Sequence, residues 1–292
     1  KMNSREYIEV SIRVQPFSEE SAEIVEAFVA DLPFDSFVVE DPCLKCYIQA
    51  SLFEPAALEE ALAACGSPSW TSREVQGENW NRTWEQEGFT PISVDGKVWV
   101  VPAGSAKVRG GRFHISLLPE MAFGTGHHQT TWLMLYAMLG CEGLIRGGRV
   151  VDLGCGTGVL AILAAKMRAA QVDAIDIDEV AVQSARENAR LNRVGSRIAV
   201  TCGDASALDG GRYDVILANI HRNIILDALP RMKAALASGG VVLLSGFYYA
   251  DAEAILEEAR GLGLASEADI LTREDPDENP QAWACLVLQS QK

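Results

Sequence analysis

At 292 residues and 48% hydrophobic, the sequence has room for about two domains and a sizeable core. It contains no long uninterrupted apolar run and no basic leader ahead of an apolar stretch, so neither a membrane span nor a signal peptide is expected. The 40 acidic against 25 basic residues give a net charge of −15, which disfavours direct nucleic-acid binding and favours a basic protein partner, while seven scattered cysteines fit free thiols in a reducing cytoplasm.

Tyr7 to Val14 alternates as a half-buried strand, and Ser18 opens an apolar-periodic run to Leu32 that reads as a helix. Strands follow at Phe37 to Val39 and Cys46 to Ala50, around a polar Glu40-Asp41-Pro42 turn. A helix from Pro55 to Cys65 and a strand near Trp70 to Val75 complete the order β-α-β-β-α-β, which predicts a small α+β ferredoxin-like domain over residues 1–76. Cys43 and Cys46 form a lone C-x-x-C, read as strand packing with zinc as the rival; no metal site is assigned.

Residues 77–93 read as a helical interdomain linker, with Trp80 and Trp84 one helical turn apart as anchors. The remainder, 94–292, reads as a second domain. It starts with strands at Val94 to Val101 and Arg112 to Leu117, and Asp95-Gly96 is the expected hairpin turn. Pro119 to Thr131 is a loop rich in glycine, threonine and histidine ahead of the apolar helix Trp132 to Leu139. Its adjacent His127 and His128 have no accompanying carboxylate or cysteine set, which argues against a metal.

Val150 and Val151 end a buried strand; Asp152-Leu153-Gly154-Cys155-Gly156-Thr157-Gly158 turns sharply and a helix follows from Val159. A ligand could sit there against backbone amides and the positive end of the helix. One βαβ step later the next strand ends in Asp176-Ile177-Asp178, where a carboxylate can accept from both hydroxyls of a ribose. A tight turn alone would explain the glycines; the second acid favours a nucleoside ligand.

The spacing is not that of a dinucleotide fingerprint, because Gly154, Gly156 and Gly158 alternate behind Asp152. It resembles motif I of the class I methyltransferases, which bind S-adenosylmethionine. By that resemblance Asp152 and the Gly154–Gly156 loop would hold the methionine part and Asp176 the ribose. Asp204, in the loop after the next strand, would receive the adenine amino group.

A helix is expected over Glu179 to Asn192 and a strand over Tyr213 to Ile220, with Asn219 at its carboxyl end among the strand-terminal acids. Asn219 could instead cap the helix Asn223 to Ala237. After a strand at Gly239 to Phe247 and a helix at Asp251 to Leu262, strands at Ala268 to Thr272 and Trp283 to Leu288 face each other as a hairpin. The last strand is then antiparallel to the rest of an α/β, Rossmann-like sheet.

Over essentially the whole chain the sequence resembles the bacterial ribosomal protein L11 methyltransferases. The resemblance rests on the small first domain, the linker around Trp80 and Trp84, Ala122-Phe123-Gly124-Thr125-Gly126 ending in Thr130-Thr131, motif I, and Leu217-Ala218-Asn219-Ile220. It implies a cytoplasmic enzyme with S-adenosyl-L-methionine as cofactor, contacted by Thr131, Gly154, Asp176 and Asn219 with Phe123 and Gly124 nearby. The substrate would be ribosomal protein L11, free or on the ribosome, methylated on lysine or N-terminal amines. The first domain would grip it and the linker would re-aim it. Asn219 is the expected amine-orienting, catalytic residue, and His127 or His221 at most a proton relay. His221-Arg222-Asn223 departs from the family pattern, which continues with small apolar residues and a second Asn-Pro. A small-molecule methyltransferase and a non-catalytic S-adenosylmethionine-binding module are the rival readings.

Overall fold

The computed structural model describes residues 6–76 except 19–20, 23–24, 26–27, 30–31, 35, 41, 64 and 67, and residues 91–290 except 106–107, 119–128, 267–268, 277–278 and 280. The expected linker helix with Trp80 and Trp84, and the loop carrying Phe123, Gly124 and His127, lie outside these residues. The chain divides into two compact units, Lys1–Gly88 and Phe89–Lys292.

In the first unit β1 (Glu6–Arg13), β2 (Ser36–Glu40), β3 (Cys43–Gln49) and β4 (Trp70–Gln76) form an antiparallel sheet of order β2-β3-β1-β4. Helical residues at 21, 22, 25, 28 and 29 and helix α1 (Pro55–Ala63) give the chain order β-α-β-β-α-β. Alternation of β1 places Val10 and Ile12 in a core with Ala22, Val25, Val29, Leu58 and Leu62. Cys46 joins that core, so the C-x-x-C packs a strand. On the opposite face of β1, Glu9 is buried and held by Arg73 at 2.9 and 2.7 Å and by the Tyr47 hydroxyl at 3.1 Å.

The second unit begins with a small sheet of β5 (Ile92–Val94), β6 (Val98–Pro102) and β7 (Phe113–Leu117). Asp95 and Gly96 both take positive φ in the hairpin turn, as the sequence predicts. Next come α2 (Gln129–Gly140), a short α3 (Glu142–Ile145), β8 (Arg149–Leu153), α4 (Val159–Lys166), β9 (Gln171–Asp176), α5 (Glu179–Leu191) and β10 (Ile198–Cys202). The chain continues through β11 (Tyr213–Asn219), α6 (Arg222–Ala235), β12 (Leu236–Tyr248), α7 (Ala252–Gly261), β13 (Leu264–Ser266), β14 (Leu271–Thr272) and β15 (Trp283–Ser290).

The large sheet runs β10-β9-β8-β11-β12-β15-β13; β8 to β12 are parallel and β15 is antiparallel to β12. This is the expected α/β sheet with a reversed final strand. The expected antiparallel pairing of the two closing segments is present, and the structure adds a strand that the sequence did not show. The segment at Leu271–Thr272 does pair with β15, but the strand that completes the sheet is Leu264–Ser266, three residues too short to show an alternating pattern.

The sheet's two faces have separate cores. Val150, Ala174, Leu217 and Leu243 pack with α2 and α4, whereas Val151, Ile175, Ala218 and Leu244 pack with α6 and α7. Strand parity therefore assigns a layer to every residue at the carboxyl edge.

Candidate active site

The chain leaves β8 outward through β9 and β10 and then returns to the other side of β8 as β11. The strand order therefore reverses between β8 and β11. In open α/β sheets a crevice forms at that point, outside the carboxyl ends of the strands.

Leu217 pairs with Asp152, Asp152 with Ala174, and Asn219 with Ser245. Alternation then turns Asp152, Asp176, Asn219 and Ser245 to the same face, the one covered by α2 and α4. Among the sequence-predicted residues, the structure thus brings together Thr131, Asp152, Gly154, Gly156, Asp176 and Asn219.

Asp152 is fully buried; its Oδ2 accepts from the Ala161 amide at 3.1 Å, and its Oδ1 has no partner among the described residues. The first bond caps the amino end of α4, which no side chain of its N-cap residue Gly158 could do. Burial pushes the Asp152 carboxyl up to about 7, assisted by the nearby Asp176 charge and opposed by the Ala161 bond.

The glycine loop takes φ of 73° at Gly154, 52° at Gly156 and 78° at Gly158. A Cβ at Gly154 would stand 2.2 Å from Ile220 Cγ2, so the left-handed turn also makes room for the residue that follows Asn219. Four amides of this loop already have acceptors within the chain. Gly154 and Cys155 donate to Ile175 O at 2.8 and 3.0 Å, Gly156 donates to Asp176 Oδ2 at 2.8 Å, and Gly158 donates to Cys155 O. The loop contributes close approach and shape, and the helix end is already occupied by Asp152, which corrects the expectation of an amide cradle.

Asp176 accepts from Gly156 N through Oδ2 and from Asp178 N through Oδ1 at 3.0 Å. An ionised carboxylate has about four acceptor sites, so about two remain for further donors. Asp178 instead caps α5 by accepting from Val180 N. The Gly203 amide donates to Asp176 O and brings Asp204 to the same edge, where Asp204 Oδ1 accepts from Ser206 N at 2.8 Å. The Ser206 bonds hold the Asp204 carboxyl below its usual range.

Asn219 donates through Nδ2 to Thr131 Oγ1 at 3.4 Å, and its Oδ1 is buried with no partner among the described residues. Thr131 is fully buried in the first turn of α2. Asn219 does not cap α6: His221 stands at that N-cap without a side-chain capping bond. Arg222 pairs with Asp251 at 3.4 Å, so the departure from the family pattern ties α6 to the turn after β12.

Three features escaped the sequence reading. Ile177, directly after Asp176, is 73% exposed and offers an apolar surface beside a carboxylate. Asn188, fully buried on α5, accepts from Leu118 N at 2.9 Å and donates to Thr157 O at 3.1 Å. One turn later Asn192 accepts from Ser116 N at 3.0 Å and donates to Ser116 O at 2.6 Å. The pair fastens the glycine loop and the end of β7 to one helix. Two asparagines four residues apart on an amphipathic helix were the available signal.

Among the described residues no group of three or more His, Cys, Asp or Glu could hold a metal, and no helix is long and apolar enough to cross a membrane.

The model of the family "Ribosomal protein L11 methyltransferase (PrmA)" matches residues 8–291. A ribosomal protein L11 methyltransferase of Phocaeicola vulgatus is 38% identical over 263 residues, covering 88% of this chain and 92% of the relative. One from Porphyromonas gingivalis is 41% identical over 251 residues, covering 84% and 86%. The crystal structure of a ribosomal protein L11 methylase from Lactobacillus delbrueckii subsp. bulgaricus superposes with a TM-score of 0.59 at 31% identity, over 69% of this chain and 99% of that one. On this evidence, the chain belongs to the ribosomal protein L11 methyltransferase family.

Proposed function

We propose that this chain is an S-adenosylmethionine-dependent N-methyltransferase that methylates lysine or N-terminal amines of ribosomal protein L11. The observation that carries the reading is the pair of buried acceptors, Asp152 Oδ1 and Asn219 Oδ1, without partners among the described residues on one face of the sheet at its reversal point. Such atoms are costly unless a donor arrives. A ligand bearing an ammonium group and a ribose diol supplies donors of the required kind, and Asp176 retains acceptor sites for the diol.

In this reading Asp152 faces the methionyl ammonium, Asp176 takes the ribose hydroxyls, Ile177 lies under the base, and Asp204 accepts from the adenine amino group. Gly154, Gly156 and Thr131 shape the floor, and the family resemblance adds Phe123 and Gly124 as cofactor-contacting residues. When bound, the cofactor supplies an electrophilic methyl group on a sulfonium.

The incoming amine must be neutral, since a protonated amine has no lone pair. Free lysine has a pKa of about 10.4 and an α-amine about 8, and desolvation in the crevice favours the neutral form. Asn219 Oδ1 accepts from an amine N–H and so fixes the direction of the lone pair; Thr131 Oγ1 holds the amide so that its oxygen is the end presented. No strong base is required, and positioning carries most of the rate.

We propose the first unit for recognition of the ribosomal protein, the segment 77–93 for re-aiming it, and the cytoplasm as the site of action. The net charge of −15 favours a basic protein and opposes general attraction to RNA. The test is transfer of labelled methyl from S-adenosylmethionine to purified L11, with cofactor affinity measured in parallel. Transfer to L11 supports the reading. Tight cofactor binding without transfer rejects the substrate, and small amines become the alternative.

A further inference from the structure

At the amino edge of the large sheet, opposite to Asp152 and Asn219, the chain forms a concavity of about 470 Å3 lined by Arg112, Phe113, His114, Arg146, Lys166 and Arg168. The topology explains its place. Arg146 directly follows α3 and leads into β8, Lys166 ends α4, Arg168 leads into β9, and Arg112 and His114 come from the start of β7.

Three arginines, a lysine and a histidine thus converge, with no carboxylate in the wall, on a protein whose net charge is −15. Cations gather near helix carboxyl ends, which accounts for Arg146 and Lys166 but not for Arg112, His114 or Arg168. Among the described residues one acid reaches the set: Glu142 accepts from Arg112 through two bonds of 2.7 Å and from Arg146 at 2.6 Å. It cancels one of the four charges.

Lys166 and Arg168 make no ion pair among the described residues. Burial lowers the pKa of the Lys166 ammonium, a cost that a bound anion would relieve. Arg168 holds φ at 70°, a left-handed conformation that non-glycine residues rarely adopt, while its carbonyl accepts from Gly147 N at 2.9 Å. Arg197 donates to Ala165 O at 3.5 Å and adds a further cation beside α4.

We propose that this pocket binds a phosphoryl group, taken either as free phosphate or from the phosphodiester backbone of RNA. Guanidinium forks match phosphate oxygens bidentately, and the Lys166 ammonium adds a point charge. Glu142 acts as an internal competitor for Arg112 and Arg146. The pocket is separate from the methyl-transfer edge, and a local cluster of this kind operates despite the overall negative charge.

The full chain would be titrated at low salt with inorganic phosphate and with a short single-stranded RNA of mixed sequence. Lys166→Met with Arg168→Asn should weaken binding on the order of tenfold or more, the loss of two charge-assisted contacts. Asparagine tolerates the left-handed backbone and methionine keeps the lysine stem. Glu142→Gln should tighten binding several-fold, a gain that misfolding cannot produce. Saturable phosphate binding assigns a free ligand; RNA binding without it assigns the backbone. If neither probe binds the unaltered chain more tightly than the double variant, the proposal is wrong. Cofactor affinity, read on the same samples, is expected to be unchanged, so this outcome is separable from that of the methyl-transfer reading.

Discussion

Asn219 and Thr131 meet across the point where the strand order reverses, the Asn219 Nδ2 donating to Thr131 Oγ1 at 3.4 Å. The bond uses the donor end of the amide and leaves the buried Oδ1 without a partner among the described residues. Asn219→Ala should lower kcat by about 100-fold, in the range expected when a positioning contact to the reacting group is lost. Thr131→Val should lower it less, and Thr131→Ser should restore it. Full activity of Asn219→Ala with unchanged cofactor affinity would remove Asn219 from the mechanism.

Asp176 is fixed by two backbone amides before any ligand arrives, at 2.8 Å from Gly156 and 3.0 Å from Asp178. Asp176→Ala should raise the Kd for S-adenosylmethionine by roughly 10- to 100-fold, the loss of hydrogen bonds to a charged acceptor. Calorimetric titration reads this directly. A Kd within twofold of the unaltered chain would place the ribose elsewhere.

Asp152 makes stability depend on pH. Its folded pKa is raised to about 7 from 3.8 by burial, so between those values the native state binds more protons than the unfolded chain. Stability then falls as pH rises from about 4 to about 7, and Asp152→Asn should flatten that slope and add up to a few kcal/mol above it. Cofactor affinity should move the other way in the unaltered chain, rising between pH 5 and 7 as the carboxylate forms beside a cation. Denaturant melts and titrations across that window test both; parallel curves for the two proteins would contradict the assignment.

Asn188 holds Leu118 N and Thr157 O at once from a fully buried position. Asn188→Leu removes the side-chain bonds to both backbone groups from a buried position and should cost roughly 2–4 kcal/mol, or about 5–15 °C in Tm for a unit of this size. The cofactor Kd should rise as well, because the glycine loop loses its anchor. A Tm unchanged within a degree or two would show that these bonds contribute nothing net.

The central sheet was legible because buried parallel strands read as apolar runs that stop at Asp152, Asp176 and Asn219, each followed by a glycine, a polar turn or a helix. The pairing of Asn219 with Thr131 was not legible, since nothing local reports a contact across 88 residues. The Leu264–Ser266 strand is too short for periodicity to register, and α6 was carried past its end into Leu236, where the chain already extends into β12. The glycine amides were misjudged for a physical reason: the same left-handed turns that admit a ligand also let Gly154 and Cys155 reach back to Ile175 O. The basic concavity draws single residues from several separate stretches, so no window of sequence displays it.

The most direct test is a mass spectrum of purified ribosomal protein L11 after incubation with this chain and S-adenosylmethionine, beside a parallel reaction with the Asp176→Ala protein. The account predicts mass added to L11 in methylene steps, mapped to lysine or N-terminal amines, and absent with the variant. Unchanged L11 in the presence of measured cofactor binding would contradict it.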